Sequence, residues 1–162
     1  MEIVLLEPEI PQNAGNIART CAVTGSGLHL IKPLGFSVED KYLKRAGLDY
    51  WQYLNVQYYE DFEDFLSKNS GARLIMATTK AKKVYTEIEY KSGDFLVFGK
   101  ESAGIPEEIL LDYKETSVRI PMAGTLRSLN LSNSVAIMVY EALRQQDFAG
   151  LEKYGQLHRN TW

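Results

Sequence analysis

The sequence predicts an α/β fold with a mostly parallel β-sheet flanked by helices. Three observations lead to this fold class: β-rich runs alternate with helical patterns, the runs are short, and no linker, repeat or low-complexity segment interrupts the chain. Such alternation is typical of βαβ units, whose helices cover both faces of a parallel sheet. A chain of 162 residues is the size of one domain, which we assign to residues 1–162.

The predicted elements follow one another closely along the chain. Strands are expected at residues 2–6 (EIVLL), 28–33 (LHLIKP), 54–59 (LNVQYY), 73–78 (RLIMAT), 94–99 (DFLVFG) and 116–121 (TSVRIP), and helices near residues 14–24, 39–46, 60–68 and 130–146. Residues that commonly begin or end helices stand at these boundaries: Asn13 or Asn16 before the first helix, Gly25 and Gly27 after it, and Glu60 or Asp61 before the third.

The final helix carries one apolar stripe. Its apolar residues recur at intervals of three and four: Leu131, Val135, Met138, Val139, Ala142 and Leu143. This spacing predicts a buried face, which belongs either to the core of the chain or to a core shared with a partner subunit.

Composition excludes several classes of protein. A single cysteine rules out an intrachain disulfide. With only two histidines in the sequence in addition, there is no ligand cluster for a metal. The N-terminus has no basic region before its short apolar run, and no segment approaches the roughly 18 apolar residues of a membrane span, so we expect a cytoplasmic protein. The net charge of −3 lacks the basic signature of nucleic-acid binders, so such a partner would need a local patch or an oligomeric surface.

Common nucleotide and hydrolase motifs do not fit. TGSGLHL (24–30) contains a GxG pattern, but it follows a helix and leads into a strand, which is the reverse of the order in the dinucleotide-binding motif. We therefore interpret it as a helix end, and no P-loop is present. Ser102 lacks the glycine two residues before a nucleophile elbow, because Lys100 stands there. A hydrolase is therefore disfavoured.

Three polar loops follow predicted strands, at the end of the sheet where open α/β folds bind ligands. They are PQNAGNIART (11–20), FGKESAGIP (98–106) and IPMAGTLRSLNLSNSVA (120–136). Each alone reads as an ordinary turn rich in glycine, proline or asparagine. The third places six polar residues at the start of the most apolar helix, more than a helix cap requires, and its free amides suit an anionic or carbonyl-rich ligand.

These three loops resemble the motifs of the SPOUT class of S-adenosylmethionine-dependent RNA methyltransferases. The third motif extends through IPMAGTLRSLNLSNSVAIMVYEALRQ. The opening EIVLLEPEIPQNAGNIARTC, the central KRAGLDYW and the compact length are most similar to the TrmL group, tRNA (cytidine/uridine-2′-O)-methyltransferases of the wobble position. The resemblance covers nearly the whole chain.

The resemblance implies a SPOUT fold whose C-terminal part forms a deep trefoil knot, in a homodimer. It implies S-adenosyl-L-methionine as the methyl donor, bound by the knot loops without a metal, and a tRNA anticodon arm as the partner, without a membrane. The expected function is methyl transfer to the ribose 2′-hydroxyl of the wobble pyrimidine. Two alternatives stay open: the same chemistry on ribosomal RNA or another tRNA position, and a non-catalytic RNA-binding module of the same fold.

Matching the motifs residue by residue gives two sets of expected site residues. The catalytic set is Asn13, Arg19, Glu101, Ser128, Asn130 and Tyr140. The donor-binding set is Ala77, Thr78, Gly99, Ile120, Met122, Ser128, Leu129 and Asn130, with Ala77 where some relatives carry a larger aliphatic residue. RNA contacts are expected from KYLKR (41–45), KAKK (80–83) and Arg127, with Tyr42, Tyr50 and Trp51 available for stacking.

Arg19 is the residue expected to assist the reaction. A charged guanidinium suits binding of a neighbouring phosphate and stabilisation of the developing oxyanion, and the resemblance further implies that Arg19 takes the hydroxyl proton. The plainer alternatives are that Arg19 is a salt-bridged surface residue, that Glu101 only makes a cap, and that Ser128 and Asn130 cap the final helix.

Overall fold

The protein is described by a computed structural model that covers residues 1–37, 53–124 and 128–160. Its elements, in chain order, are β1 (Glu2–Leu6), α1 (Pro11–Thr24), β2 (Gly27–Ile31), β3 (Val56–Tyr59), α2 (Phe62–Lys68), β4 (Leu74–Ala77), β5 (Lys83–Val84), a 3-10 turn (Tyr85–Glu87), β6 (Phe95–Phe98), α3 (Glu107–Asp112), β7 (Ser117–Arg119) and α4 (Leu131–Gln145). The helix predicted near residues 39–46 lies outside the described residues, as does Arg127.

The strands form one sheet in the order β3-β2-β1-β6-β4-β7-β5. Every adjacent pair runs parallel; for example, Ile3 of β1 lies opposite Leu28 of β2 and Leu96 of β6. The predicted parallel sheet is therefore confirmed. Because β1, β6, β4 and β7 are neighbours, the loops that leave their C-terminal ends converge on one region.

Two apolar layers cover the two faces of the sheet. Successive residues of β1 alternate between them: Ile3 and Leu5 join α1 and α4, whereas Val4 and Leu6 join Phe65 of α2. The predicted stripe of α4 forms part of the first layer, where Val135, Met138, Val139 and Ala142 are fully buried beside α1. The stripe thus belongs to the core of the chain itself.

The first helix begins earlier than predicted. It starts at Pro11, after Ile10 in the N-cap position, and no side chain caps it. The prediction that Asn13 or Asn16 caps this helix is wrong, because Pro11 fixes the backbone angle φ needed in the first turn and places both asparagines inside the helix. The other two boundary predictions are confirmed: Gly25 ends α1 with φ of 65°, and Asp61 caps α2 by accepting from the Asp64 amide at 2.8 Å.

Three short elements were not predicted from the sequence. They are β5, the 3-10 turn that follows it, and the six-residue α3. Elements this short do not repeat a pattern of hydrophobic spacing, so they give no periodic signal. No helix within the described parts of the chain has the length and hydrophobicity needed to cross a membrane.

Candidate active site

A cleft of about 640 Å³ lies where the loops after β4, β6 and β7 meet the start of α4. This volume is within the range of sites that bind small organic molecules. The cleft is lined by residues 77–80 after β4, 98–104 at and after β6, Ile120 and Met122 after β7, and residues 128–131 at the start of α4, together with Ile10, Asn13, Val118, Ser134 and Met138.

The structure brings most of the predicted site residues together. All eight members of the donor-binding set line the cleft, as do Asn13 and Glu101 of the catalytic set. Arg19 and Tyr140 are exposed on α1 and α4, and neither belongs to the described residues that line the cleft. The catalytic set is therefore divided between the cleft and the outer surfaces of two helices.

The lining combines apolar walls with a few polar groups. Phe98, Val118 and Met138 supply buried apolar surface, and Thr78 and Ser128 add hydroxyl groups. This combination suits a ligand with a flat apolar part and a polar part, since the apolar walls can bury the flat part and hydrogen bonds to the polar part can fix the orientation of the ligand.

Glu101 joins the loop after β6 to the loop after β1. Its carboxylate accepts hydrogen bonds from the amides of Glu9 (2.8 Å) and Ile10 (3.2 Å) and from Nδ2 of Asn13 (2.8 Å). A carboxylate at the N-terminal end of α1 is also favoured by the helix dipole. This contact from a distant loop lies at the N-terminal end of α1, which has no side-chain cap of its own.

Asn13 extends this network to the start of α4. It is only 5% exposed, and its Oδ1 accepts from Nδ2 of Asn130 at 2.9 Å. Oδ1 of Asn130 in turn accepts from the Ser132 amide at 2.9 Å, so the predicted capping of the final helix by Asn130 is confirmed. One chain of hydrogen bonds thus ties the three polar loops together.

Gly99 is required by the close approach of two backbone segments. A Cβ atom at this position would lie 2.1 Å from the carbonyl carbon of Gly104 and 2.2 Å from the Ile105 nitrogen. Gly104 itself has φ of 73°, in the left-handed region that favours glycine. The loop after β6 can therefore fold back on itself at the base of the cleft.

Two lysines that belong to neither the catalytic nor the donor-binding set lie on the cleft, Lys80 from the run expected to contact RNA and Lys100. Lys100 pairs with Glu7 at 2.7 Å, and this carboxylate raises the pKa of the Lys100 ammonium group. Lys80 pairs with Glu107 at 2.9 Å. Lys100 was not predicted, but it stands inside the second motif and could have been found from that context.

The described residues offer no metal centre and no reactive thiol. Nowhere in residues 1–37, 53–124 or 128–160 do three His, Cys, Asp or Glu side chains come close enough to bind a metal ion. Cys21 is buried against the sheet, and burial raises the pKa of its thiol to about 12.

Comparison with known proteins finds matches over most of the chain. The SpoU rRNA Methylase family matches residues 1–140. A tRNA (cytidine(34)-2′-O)-methyltransferase of Methylovorus glucosotrophus is 54% identical over 150 residues, which is 92% of this chain and 97% of that protein.

Solved structures agree with this comparison. One, described as giving structural insights into the 2-OH methylation of C/U34 on tRNA, has a TM-score of 0.86 and 45% identity, and covers 91% of this chain and 96% of that one. An AdoMet-bound rRNA methyltransferase of Sinorhizobium meliloti has a TM-score of 0.79 and 28% identity, and covers 88% of this chain and 55% of that one.

Proposed function

The chain belongs to the SpoU rRNA methylase family, and from this premise we propose that it transfers a methyl group from S-adenosyl-L-methionine to the ribose 2′-hydroxyl of the wobble pyrimidine in tRNA anticodons. The observation that carries this proposal is the identity over nearly the full length to a relative named for methylation of cytidine 34 in tRNA. Because tRNA is its substrate, we place the protein in the cytoplasm.

The cleft fits the proposed donor. Apolar walls at Phe98, Val118 and Ile120 suit the adenine ring, and the hydroxyls of Thr78 and Ser128 suit the polar atoms of the ribose and the amino-acid part. The donor supplies a methyl group on a positively charged sulfur. We assign its binding to Ala77, Thr78, Gly99, Ile120, Met122, Ser128, Leu129 and Asn130.

The roles proposed for Asn13, Glu101 and Asn130 follow from their hydrogen bonds. The Glu101 carboxylate already accepts from three donors, and both ends of the Asn13 amide are occupied. Groups engaged in this way hold the loops in position rather than exchange protons. We propose that they align donor and acceptor, which by itself can account for a large part of a rate enhancement.

Arg19 is the residue that we propose acts on the RNA. It lies in α1 six positions after Asn13, so its Cα is about 9 Å further along the helix axis. From its exposed position it can reach a phosphate beside the target nucleotide, and its charge stabilises the oxygen as the hydroxyl proton leaves. Tyr140 is exposed on α4. Because α1 and α4 pack together, we propose that Tyr140 contributes to catalysis from the same side of the molecule as Arg19.

The acceptor RNA is proposed to be held by basic side chains near the cleft. Lys80 lies on the cleft, and Lys82 is exposed in the same loop. Lysine contacts to phosphates fix the position of an RNA without reading its sequence. KYLKR (41–45) and Arg127 complete the proposed contacts, although they lie outside the described residues.

We further propose that the protein is a homodimer, with a second copy of the chain covering α4. The outward side of this helix carries Asn133, Ile137, Tyr140 and Arg144 at helical spacing, with Ile137 36% and Tyr140 47% exposed. Two large apolar side chains on one exposed stripe favour a protein contact. Sedimentation of the protein with and without Ile137→Glu tests this: the variant should sediment as a monomer, and a monomeric parent protein would contradict the proposal.

The trefoil knot is proposed for the C-terminal part. It is supported by the sheet order, in which β6 lies between β1 and β4, and β7 lies between β4 and β5. The chain therefore returns twice to positions between earlier strands before α4 packs beside α1. An experimental structure that traces the backbone from β7 to α4 tests the proposal, and a path that passes outside the earlier loops would refute it.

The test of function is radiolabelled methyl transfer from S-adenosylmethionine into tRNA of a strain that lacks this gene, followed by alkaline digestion. A methylated 2′-oxygen cannot attack the adjacent phosphate, so the label should remain in an alkali-resistant dinucleotide that contains the wobble residue. Label in ribosomal RNA or at another tRNA position would overturn the substrate assignment. Binding of donor and tRNA without transfer would favour a non-catalytic module.

A further inference from the structure

Glu9 and Ser102 make a second, reciprocal connection between the loops after β1 and β6. Oε1 of Glu9 accepts from the Ser102 hydroxyl at 2.8 Å, and Oε2 accepts from the Ser102 amide at 2.9 Å. The neighbouring Glu101 carboxylate accepts from the Glu9 amide in the opposite direction. Each loop thus supplies a carboxylate that accepts from backbone amides of the other, and we call Glu9, Glu101 and Ser102 the reciprocal latch.

We propose that Glu9 is a positioning residue for binding of the methyl donor: its carboxylate holds the Ser102 peptide, and thereby fixes the loop of residues 99–104 that lines the cleft. This inference rests on the proposed function. Neither Glu9 nor Ser102 belongs to the residue sets implied by the motifs, and Glu9 does not itself line the cleft.

The loop of residues 99–104 has little support of its own at the position of Ser102. Its ends are held by the hydrogen bond from the Gly104 amide to the Lys100 carbonyl, at 2.8 Å, and by the close packing of Gly99. Ser102 is exposed, and its amide and its hydroxyl both donate to Glu9. The shape of this part of the loop therefore depends on the carboxylate of the neighbouring loop.

The latch requires an ionised carboxylate at position 9. Both oxygens of Glu9 are acceptors, whereas a glutamine would offer one acceptor and turn its amide hydrogens toward a second donor. The hydrogen bonds from Ser102 lower the pKa of the Glu9 carboxyl, with a smaller contribution from the charge of Lys100. Lys100 also neutralises the nearby Glu7, which limits the repulsion among the carboxylates gathered here.

Three variants of the full chain test the role of Glu9. Because hydrogen bonds to a charged group are among the stronger ones, Glu9→Gln should raise the KM for S-adenosylmethionine and the Kd for S-adenosylhomocysteine about tenfold. Ser102→Ala keeps the amide contact, so its effect should be about threefold. The double variant should be no worse than Glu9→Gln alone, because the two residues form one interaction. Glu63→Gln, on the exposed surface of α2, is the matched control.

The division between KM and kcat separates positioning from folding. If Glu9 positions the loop, kcat and the KM for tRNA stay within about twofold while the donor KM rises. A lower kcat with unchanged donor KM, together with a lower melting temperature, would mean that Glu9 only stabilises the fold, and would overturn the inference.

Calorimetry with S-adenosylhomocysteine and no RNA distinguishes failure of this inference from failure of the proposed function. If the unmodified protein binds this compound and Glu9→Gln binds it within twofold of the same affinity, the inference is wrong and the proposed function stands. If the unmodified protein does not bind it, the proposed donor site is wrong and the inference falls with it.

Discussion

Nδ2 of Asn130 donates to Oδ1 of Asn13 across 2.9 Å, although the two residues are 117 positions apart in the chain. Nδ2 of Asn13 in turn donates to the Glu101 carboxylate at 2.8 Å. The start of α1, the loop after β6 and the start of α4 therefore hold fixed positions relative to one another. Because these elements line one cleft, a change at Asn13 should affect stability and donor binding together.

Asn13→Asp should destabilise the protein at neutral pH. The new carboxylate would face Glu101 at hydrogen-bond distance and remove the donor between them, in a site that is 5% exposed. We expect the free energy of unfolding to fall by about 2 kcal/mol at pH 7. Repulsion raises the pKa of one carboxyl in the folded state, so the deficit should shrink as pH falls and that group binds a proton.

Urea unfolding of this variant at pH 7 and at about pH 4.5 measures both effects. Asn16→Asp, on the exposed side of the same helix, is the matched control, and its stability should stay within about 0.5 kcal/mol of the parent protein. Equal stability of Asn13→Asp and the parent protein at pH 7 would show that the network makes no net contribution.

Gly99→Ala should disrupt the base of the cleft. The added methyl group would lie 2.1 Å from the Gly104 carbonyl carbon, and its nearest neighbours are backbone atoms of Gly104 and Ile105, so no flexible side chain can move away. We expect a loss of about 1–3 kcal/mol in the free energy of unfolding, together with weaker donor binding. Gly155→Ala is the control, because nothing lies within 4 Å of that position. Chemical denaturation and calorimetry of both variants check this, and a Gly99→Ala protein of unchanged stability would contradict the observed packing.

Local sequence patterns predicted the elements of this fold better than the connections within the site. Glycine at position 25 and aspartate at position 61 mark helix ends because each acts on its own neighbours, and both predictions are confirmed. Asn13 was assigned to a local cap, but its partners lie 88 and 117 positions away. Such contacts are created by the order of the strands, which hydrophobic spacing does not specify. The residues around the cleft could be named from the sequence only because its motifs resemble those of known proteins.

Cys21 should be unreactive in the folded protein. It is fully buried, and burial raises the pKa of its thiol from 9.0 to about 12, so the thiolate fraction at pH 8 falls about 1,000-fold. We expect less than one-tenth of the thiol to react with Ellman's reagent in an hour at pH 8, as an order-of-magnitude estimate. The sequence has one cysteine, so the protein unfolded in guanidinium should show one reactive thiol per chain. Rapid reaction of the folded protein would mean that α1 opens readily from the sheet.

Arg19→Ala should strongly slow methyl transfer while leaving the fold and the donor site intact. Its side chain is exposed, and it does not belong to the described residues that line the cleft, so the melting temperature and the affinity for S-adenosylhomocysteine should stay close to those of the parent protein. Loss of one group that stabilises a developing oxyanion lowers kcat by about 100-fold to 1,000-fold.

Arg19→Lys retains the charge, so it should recover part of the activity if Arg19 binds a phosphate and stabilises the oxyanion. Lys68→Ala, which removes an exposed basic side chain of α2 outside the proposed site and the proposed dimer contact, should keep kcat within about threefold. Single-turnover transfer to tRNA measures the chemical step directly, and an Arg19→Ala protein with normal single-turnover rates would show that the reaction does not use this residue.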